Sequence, residues 1–313
     1  MRRGLGHEPG APVPRRGDPA GYALVIGSYV LFSLTPVLIA WVTLTASVLL
    51  VLRYFLAAGV LLLVFWRRRP LTRALLRPGV WQRFLLMAAL DASQAFAYFY
   101  AVRVLGVAVA TCIYYLQPLW VALLAPHILH MATERVVYIA MPVAFAGLTL
   151  VLAPSFSGAA SLSLVGIAAA LLGGLGFALF QMTIKRQTRE VSSVSMVIVM
   201  CMLDGFFLLP LARWQFAGQG FVFSSQDLTA VVLIGVFTTA LAFTMWVDGV
   251  ARVRVQHSAI LGLLNAVGSP VFAFVLLGQG LSVWVLAGGA LILAAGTLVM
   301  VRGAGEPRVE TPL

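Results

Sequence analysis

The chain has 313 residues, of which 61% are apolar and only 10% charged, with a mean hydropathy of +1.00 and a formal net charge of +11. A soluble globular domain carries about 25% charged and 45–50% apolar residues, so that class is excluded, as is a disordered chain. A membrane barrel would show weak alternating segments of about ten residues, whereas this chain has long uninterrupted apolar runs.

About 20 apolar residues span a bilayer as a helix, and that length predicts ten spans. Residues 1–18 precede them as a polar, Pro- and Arg-containing tail, expected to be disordered on the cytoplasmic side. Spans 1 and 2, 22–41 and 45–66, are separated by the barely polar 42–46, and Arg53 lies inside the second. Span 3, 84–102, carries Asp91, Gln94 and Tyr98, whose spacing puts them on one helical face. Span 4, 105–127, holds Tyr114, Tyr115 and Gln117, the last directly before Pro118. His127, His130 and Glu134 follow at i, i+3, i+7; on a continuous helix that face suits either metal ligands or ordinary interfacial residues. Span 5, 136–153, closes the first half.

Span 6, 164–184, contains Gly173-Gly174 and Gly176, read as small-residue helix contacts. Span 7, 193–212, carries Asp204 near mid-depth without a sequence-local cation, which makes it a proton-site candidate. Span 8, 228–248, includes Trp246 and ends at Asp248, beside Arg252 and Arg254, as expected of an interfacial ion pair. Span 9, 256–277, has Asn265 before Gly268-Ser269-Pro270, and span 10, 283–301, precedes a second expected tail at 303–313. Cys112 and Cys201 both fall in apolar runs and read as small buried hydrophobes rather than a disulfide.

The basic residues orient this topology. With both ends inside, 18 of the 21 fall on the inner side, only Arg103 and Arg213 on the outer side, and Arg53 within the membrane, as the excess of cytoplasmic Lys and Arg requires. The halves also repeat. Ala146-Gly147 lies over Ala295-Gly296 at an offset of 149, and Leu31-Phe32 over Leu179-Phe180 and Gln117 over Asn265 at 148. Five spans per half is an odd number, so the halves must cross in opposite senses. The fold class read from the sequence is therefore an all-α polytopic membrane protein of ten helices in two inverted five-helix repeats, 22–153 and 164–301.

Several stretches resemble the drug/metabolite transporter superfamily in its EamA-domain branch. They are Leu52-Arg53-Tyr54-Phe55-Leu56-Ala57-Ala58, Ala108-Val109-Ala110 with Leu116-Gln117-Pro118-Leu119-Trp120, and Leu276-Leu277-Gly278-Gln279-Gly280 running into Gly288-Gly289-Ala290. The resemblance covers nearly all of 22–301. It departs from the family pattern at Gln279, where Glu is usual, and at Asn265-Ala266, where a Glu-Pro pair is frequent. It implies a ten-helix carrier whose first four spans per half surround a central cavity, in a family that mostly exports amino acids, other small metabolites or drugs, some with proton coupling.

The candidate cargo-binding residues are Arg53, Gln94, Tyr98, Tyr114, Gln117, Trp246 and Asn265, with Asp91 and Asp204 as proton-coupling candidates. A charge at membrane depth costs about 2.5 kcal/mol or more, so it has a partner or a task. Arg53 and Asp91 fit either a structural ion pair between spans 2 and 3 or a cavity-facing pair that meets cargo and proton. Pro118 and Pro270 each free a backbone carbonyl, which membrane depth tolerates inside a protein or along a cavity. The expected partners are a small-molecule cargo and the bilayer, with a homodimer left open; no nucleic acid, metal or cofactor is expected. An intramembrane enzyme or a non-transporting membrane subunit remains the alternative, although no HExxH or GxSxG element is present.

Overall fold

A computed structural model describes residues 18–39, 42–68, 79–105, 107–153, 163–217, 224–278 and 280–303. The expected terminal tails lie almost wholly outside these residues, as does Gln279. Among the described residues the secondary structure is entirely helical.

The helices of the first half are α1 (Pro19–Ser33), α2 (Thr35–Ile39), α3 (Ala46–Val64), α4 (Val80–Leu105), α5 (Val107–Tyr114), α6 (Gln117–Ile128) and α7 (Arg135–Leu152). The second half contains α8 (Leu164–Gln187), α9 (Ser193–Ala217), α10 (Ser225–Leu233), α11 (Ala242–Arg252), α12 (Val255–Leu261), α13 (Leu264–Leu277) and α14 (Val283–Gly303). A wider π-helical stretch, Ile234–Leu241, joins α10 to α11. There the hydroxyls of Thr238 and Thr239 both donate to the Ile234 carbonyl.

Local chemistry sets the ends. Asp18 caps α1 by accepting from the Ala20 N–H, with Pro19 in the first turn, where its missing donor is not needed. Ser163 caps α8 on Gly166, and Ser224 with Asp227 forms a reciprocal capping box on α10, each satisfying backbone donors that the helix itself leaves free. Gly278 ends α13 with a positive φ in the left-handed region, a conformation that a side chain disfavours.

Eight helical segments are long and apolar enough to cross a membrane: Pro19–Ile39, Ser47–Val64, Arg135–Leu152, Leu164–Gln187, Ser193–Trp214, Ser225–Arg252, Val255–Leu277 and Val283–Arg302. The other two expected spans fall on α4, which is 26 residues long but diluted by Asp91, Gln94 and its tyrosines, and on α5 with α6, which are short and interrupted. The exterior is apolar. Leu63, Phe96, Leu172, Phe206, Val275 and Leu293 are all exposed, an arrangement favourable against acyl chains and costly in water.

The main helix pairings join the two halves: α7 lies along α14, α3 along α9, α4 along α8, and α1 along α11. Gly147 and Gly288 let α7 and α14 touch backbone to backbone, since a Cβ on either would strike the other's carbonyl oxygen; small residues permit such close approach in membranes. Gly173, Gly174 and Gly176 do the same for α8, fitting it against Gln94 and Tyr98 of α4 and Tyr114 of α5. The largest buried apolar cluster runs through α1, α3, α4, α9 and α11, and a second fills the space between α7, α12 and α14.

Candidate functional site

Two helices are broken at matching places. α5 stops at Tyr114 and α6 starts at Gln117; α12 stops at Leu261 and α13 starts at Leu264. The breaks therefore lie at 115–116 and 262–263, one on each half, each just before the amide residue singled out from the sequence. Pro118 sits in the first turn of α6 and Pro270 inside α13. The two breaks meet: Asn265 Nδ2 donates to Tyr115 Oη at 3.4 Å. Gln117 is buried, and its Oε1 has no hydrogen-bond partner. Asn265 is half-buried and engages Ser269 through its Oδ1 and backbone carbonyl.

A chain of polar contacts leads from the first break into α4. Tyr114 Oη donates to Gln94 Oε1 at 2.8 Å, and Gln94 Nε2 donates to Asp91 Oδ1 at 3.0 Å. Tyr98 Oη shares a 2.9 Å hydrogen bond with Thr111 Oγ1, and its ring packs on Tyr114 with centroids 4.5 Å apart. An aromatic row continues from Tyr114 to Phe177 and on to Trp246. Trp246 is a packed core residue at the far end of this row. Its Nε1 donates to Tyr29 Oη at 2.9 Å, and it lies among Phe177, Phe180 and Phe243.

Arg53, Asp91 and Asp204 lie within electrostatic reach of one another in the interior. Asp91 is half-buried on α4 and is held by Gln94. Asp204, on α9, is buried with both carboxylate oxygens lacking a hydrogen-bond partner. Arg53 does not close an ion pair with Asp91. Its guanidinium folds over the neighbouring Tyr54 ring at 4.7 Å and donates from Nη2 to Tyr54 Oη at 3.1 Å, leaving Nε buried without a partner. The ring face attracts the cation that no carboxylate holds.

One reading from the sequence is corrected. His127, His130 and Glu134 do not share a helix face, because α6 ends at Ile128 and His130 turns the chain with a positive φ. Glu134 instead precedes α7 and binds Arg254 Nε at 2.6 Å and His257 Nε2 at 3.0 Å. The ion pair expected at Asp248 forms with Arg252 at 2.7 Å, and Asp248 also accepts from Ser193.

Among the described residues, sequence reasoning missed several buried polar groups. Tyr22 Oη lies 2.6 Å from His257 Nδ1, extending the Glu134 contact to α1. Gln181 Nε2 donates to Ser258 Oγ at 3.1 Å, beside Tyr29. Lys185, one of the basic residues expected on the inner side, is buried and donates to the carbonyls of Val250, Ala251 and Val253, where its charge suits the negative end of α11. The only sequence signal for these was a polar side chain in an otherwise apolar helix. A separate open groove of ≈ 320 Å³, lined by Leu24, Ser192, Ser193, Val194, Leu241, Thr244, Met245 and Asp248, contains none of the candidate site residues.

The EamA-like transporter family profile matches residues 19–153 and 164–301, once on each half. The chain is 26% identical over 166 residues to "Uncharacterized transporter YvbV" of Bacillus subtilis (strain 168); the match spans 52% of this chain and 52% of that relative, about half the length of each. A solved structure described as "Crystal structure of protein" shares the fold with a TM-score of 0.76 at 18% identity, covering 91% of this chain and 98% of that one.

Proposed function

The chain belongs to the EamA-like transporter family, and from that membership we propose that it is a secondary carrier in the plasma (inner) membrane, exporting a small polar or amphipathic metabolite by alternating access. In this reading ten spans form two inverted repeats with both termini cytoplasmic. The helix pairings support it. Exchanging the halves maps α1, α3, α4 and α7 onto α8, α9, α11 and α14, so the α1–α11 pairing becomes α8–α4, and α3–α9 and α7–α14 become themselves.

The observation that carries the proposal is the contact between the two helix breaks, Tyr115 to Asn265. Interrupted helices at membrane depth expose backbone polar groups, which carriers use to build a midplane site at the repeat interface. Gln117 and Asn265 supply amide donors and acceptors there, Tyr98 and Tyr114 an aromatic wall, and Arg53 a cation for an anionic group on the cargo. One guanidinium beside two carboxylates leaves one negative charge uncompensated if all three ionise, so the cluster favours taking up a proton or a cationic group. Proton coupling through Asp91 and Asp204 follows from that imbalance.

Purified protein in liposomes loaded with mixed amino acids and other small metabolites tests the proposal. Counterflow of a component supports a carrier. Chemical turnover without translocation would favour an intramembrane enzyme, and neither activity, with a co-purifying partner, a non-transporting subunit.

A further inference from the structure

We propose that Tyr22, His257, Glu134 and Arg254 form the cytoplasmic gate of this carrier, and that α12 is the lever connecting that gate to the cargo site; the inference rests on the carrier reading above. The four residues bring together three segments from both halves: α1, the start of α7, and α12 with the residue before it. His257 is the centre. With a neutral imidazole, one ring nitrogen accepts and the other donates. Tyr22 Oη then donates to Nδ1 across 2.6 Å, and Nε2–H donates to Glu134 Oε2 across 3.0 Å. The other Glu134 oxygen takes Arg254 Nε at 2.6 Å, while Arg254 Nη1 donates to the Ala132 carbonyl at 2.9 Å.

Burial makes this chain different from the side-chain ion pairs on the inner side. Tyr22, Glu134 and His257 are all buried, His257 at 1% exposure. The Arg252–Asp248 and Arg83–Glu190 pairs are both more exposed, so water competes for their charges. Breaking a dry, charge-assisted chain leaves polar atoms without partners, so it holds as a unit or opens as a unit.

The lever follows from α12 itself. All seven of its residues are buried, and it ends at the 262–263 break, two residues before Asn265. Ser258, one residue from His257, is held by Gln181 of α8, and Tyr29 packs at Gly262, where a Cβ would sit 3.0 Å from its hydroxyl. A movement at the break is therefore delivered to His257 through one short rigid helix. The first half lacks the same device: at the repeat offset of 148, His257 corresponds to Val109 of α5, which packs among Ala101, Leu105, Ala110 and Ala170. With a polar latch on the inner side and only apolar packing at the corresponding outer position, the outer side is the one expected to open more readily.

Side-specific labelling tests this. A Ser269→Cys reporter beside Asn265 is placed in a Cys112→Ala, Cys201→Ala background and exposed to a membrane-impermeant maleimide in right-side-out and inside-out vesicles. The reporter should label faster from outside. Glu134→Gln or Arg254→Met should raise its inside labelling about tenfold, as expected for losing hydrogen bonds to a charged group. Tyr22→Phe, which removes one hydroxyl and tests the idea should the others fail to fold, should raise it about threefold. Equal inside labelling in native and folded latch variants would overturn the gate while leaving the carrier reading intact. A reporter unlabelled from both faces in every variant would contradict a water-accessible site at the helix breaks, and with it both proposals.

Discussion

Asp204 has both carboxylate oxygens buried without a hydrogen-bond partner, and Asp91 is held on one oxygen by Gln94. The two acids belong to different halves of the chain and share the single guanidinium of Arg53. Asn at either position keeps the shape and removes the ionisable proton. Asp204→Asn and Asp91→Asn should therefore abolish flux driven by an imposed pH gradient in liposomes while leaving the protein folded; unchanged flux in both would remove carboxylate coupling from the mechanism. Gln117→Ala and Asn265→Ala act on the cargo side. Each should weaken cargo binding about tenfold, the worth of a hydrogen bond or two, with little change in thermal stability. Loss of folding with normal affinity in the surviving protein would assign these amides to structure. Asp91, Asp204 and Arg53 were legible in the sequence because charge is scarce at membrane depth. Helical spacing also placed Gln94 beside Asp91, but the turn of Arg53 onto Tyr54 is a side-chain choice that spacing does not specify.

The close approach of α7 and α14 depends on Gly147 and Gly288, each facing the other's backbone. Gly147→Val or Gly288→Val should destabilise the protein by about 3 kcal/mol, because branched side chains cannot enter a backbone contact without separating the helices. A thermal unfolding series in detergent measures it, and Gly59→Ala, at a position with open space, serves as the control that should change little. The helix interruptions were legible only approximately. Proline at 118 and at 270 directed attention to the right stretches, yet the breaks lie upstream of both, at 115–116 and 262–263. Proline is compatible with the first turn of a helix, so Pro118 marks where α6 begins rather than where a helix fails. The Tyr22–His257 contact joins residues 235 positions apart, and no local periodicity encodes such a distance. His127, His130 and Glu134 misled for the opposite reason: their spacing is helical, but the chain turns at His130.

At the scale of the molecule, lipid dictates most of what is readable. Apolar runs and the placement of arginines delimit helices because unsatisfied backbone and misplaced charge are both costly in a bilayer. The contacts between halves follow a rule the sequence only hints at through short matches near offsets of 148 and 149. Those offsets place Gln117 over Asn265, and the structure brings the neighbouring breaks into contact. Alternating access requires that this junction change shape in each cycle. Cysteines introduced by Tyr115→Cys and Asn265→Cys, joined by a short bifunctional thiol reagent, test that requirement most directly. Cross-linked protein in liposomes should lose almost all the cargo counterflow that the same double variant shows before treatment, and more than either single variant loses to the reagent; full counterflow through the cross-linked protein would show that the paired breaks are a fixed structural joint and not the moving site of a carrier.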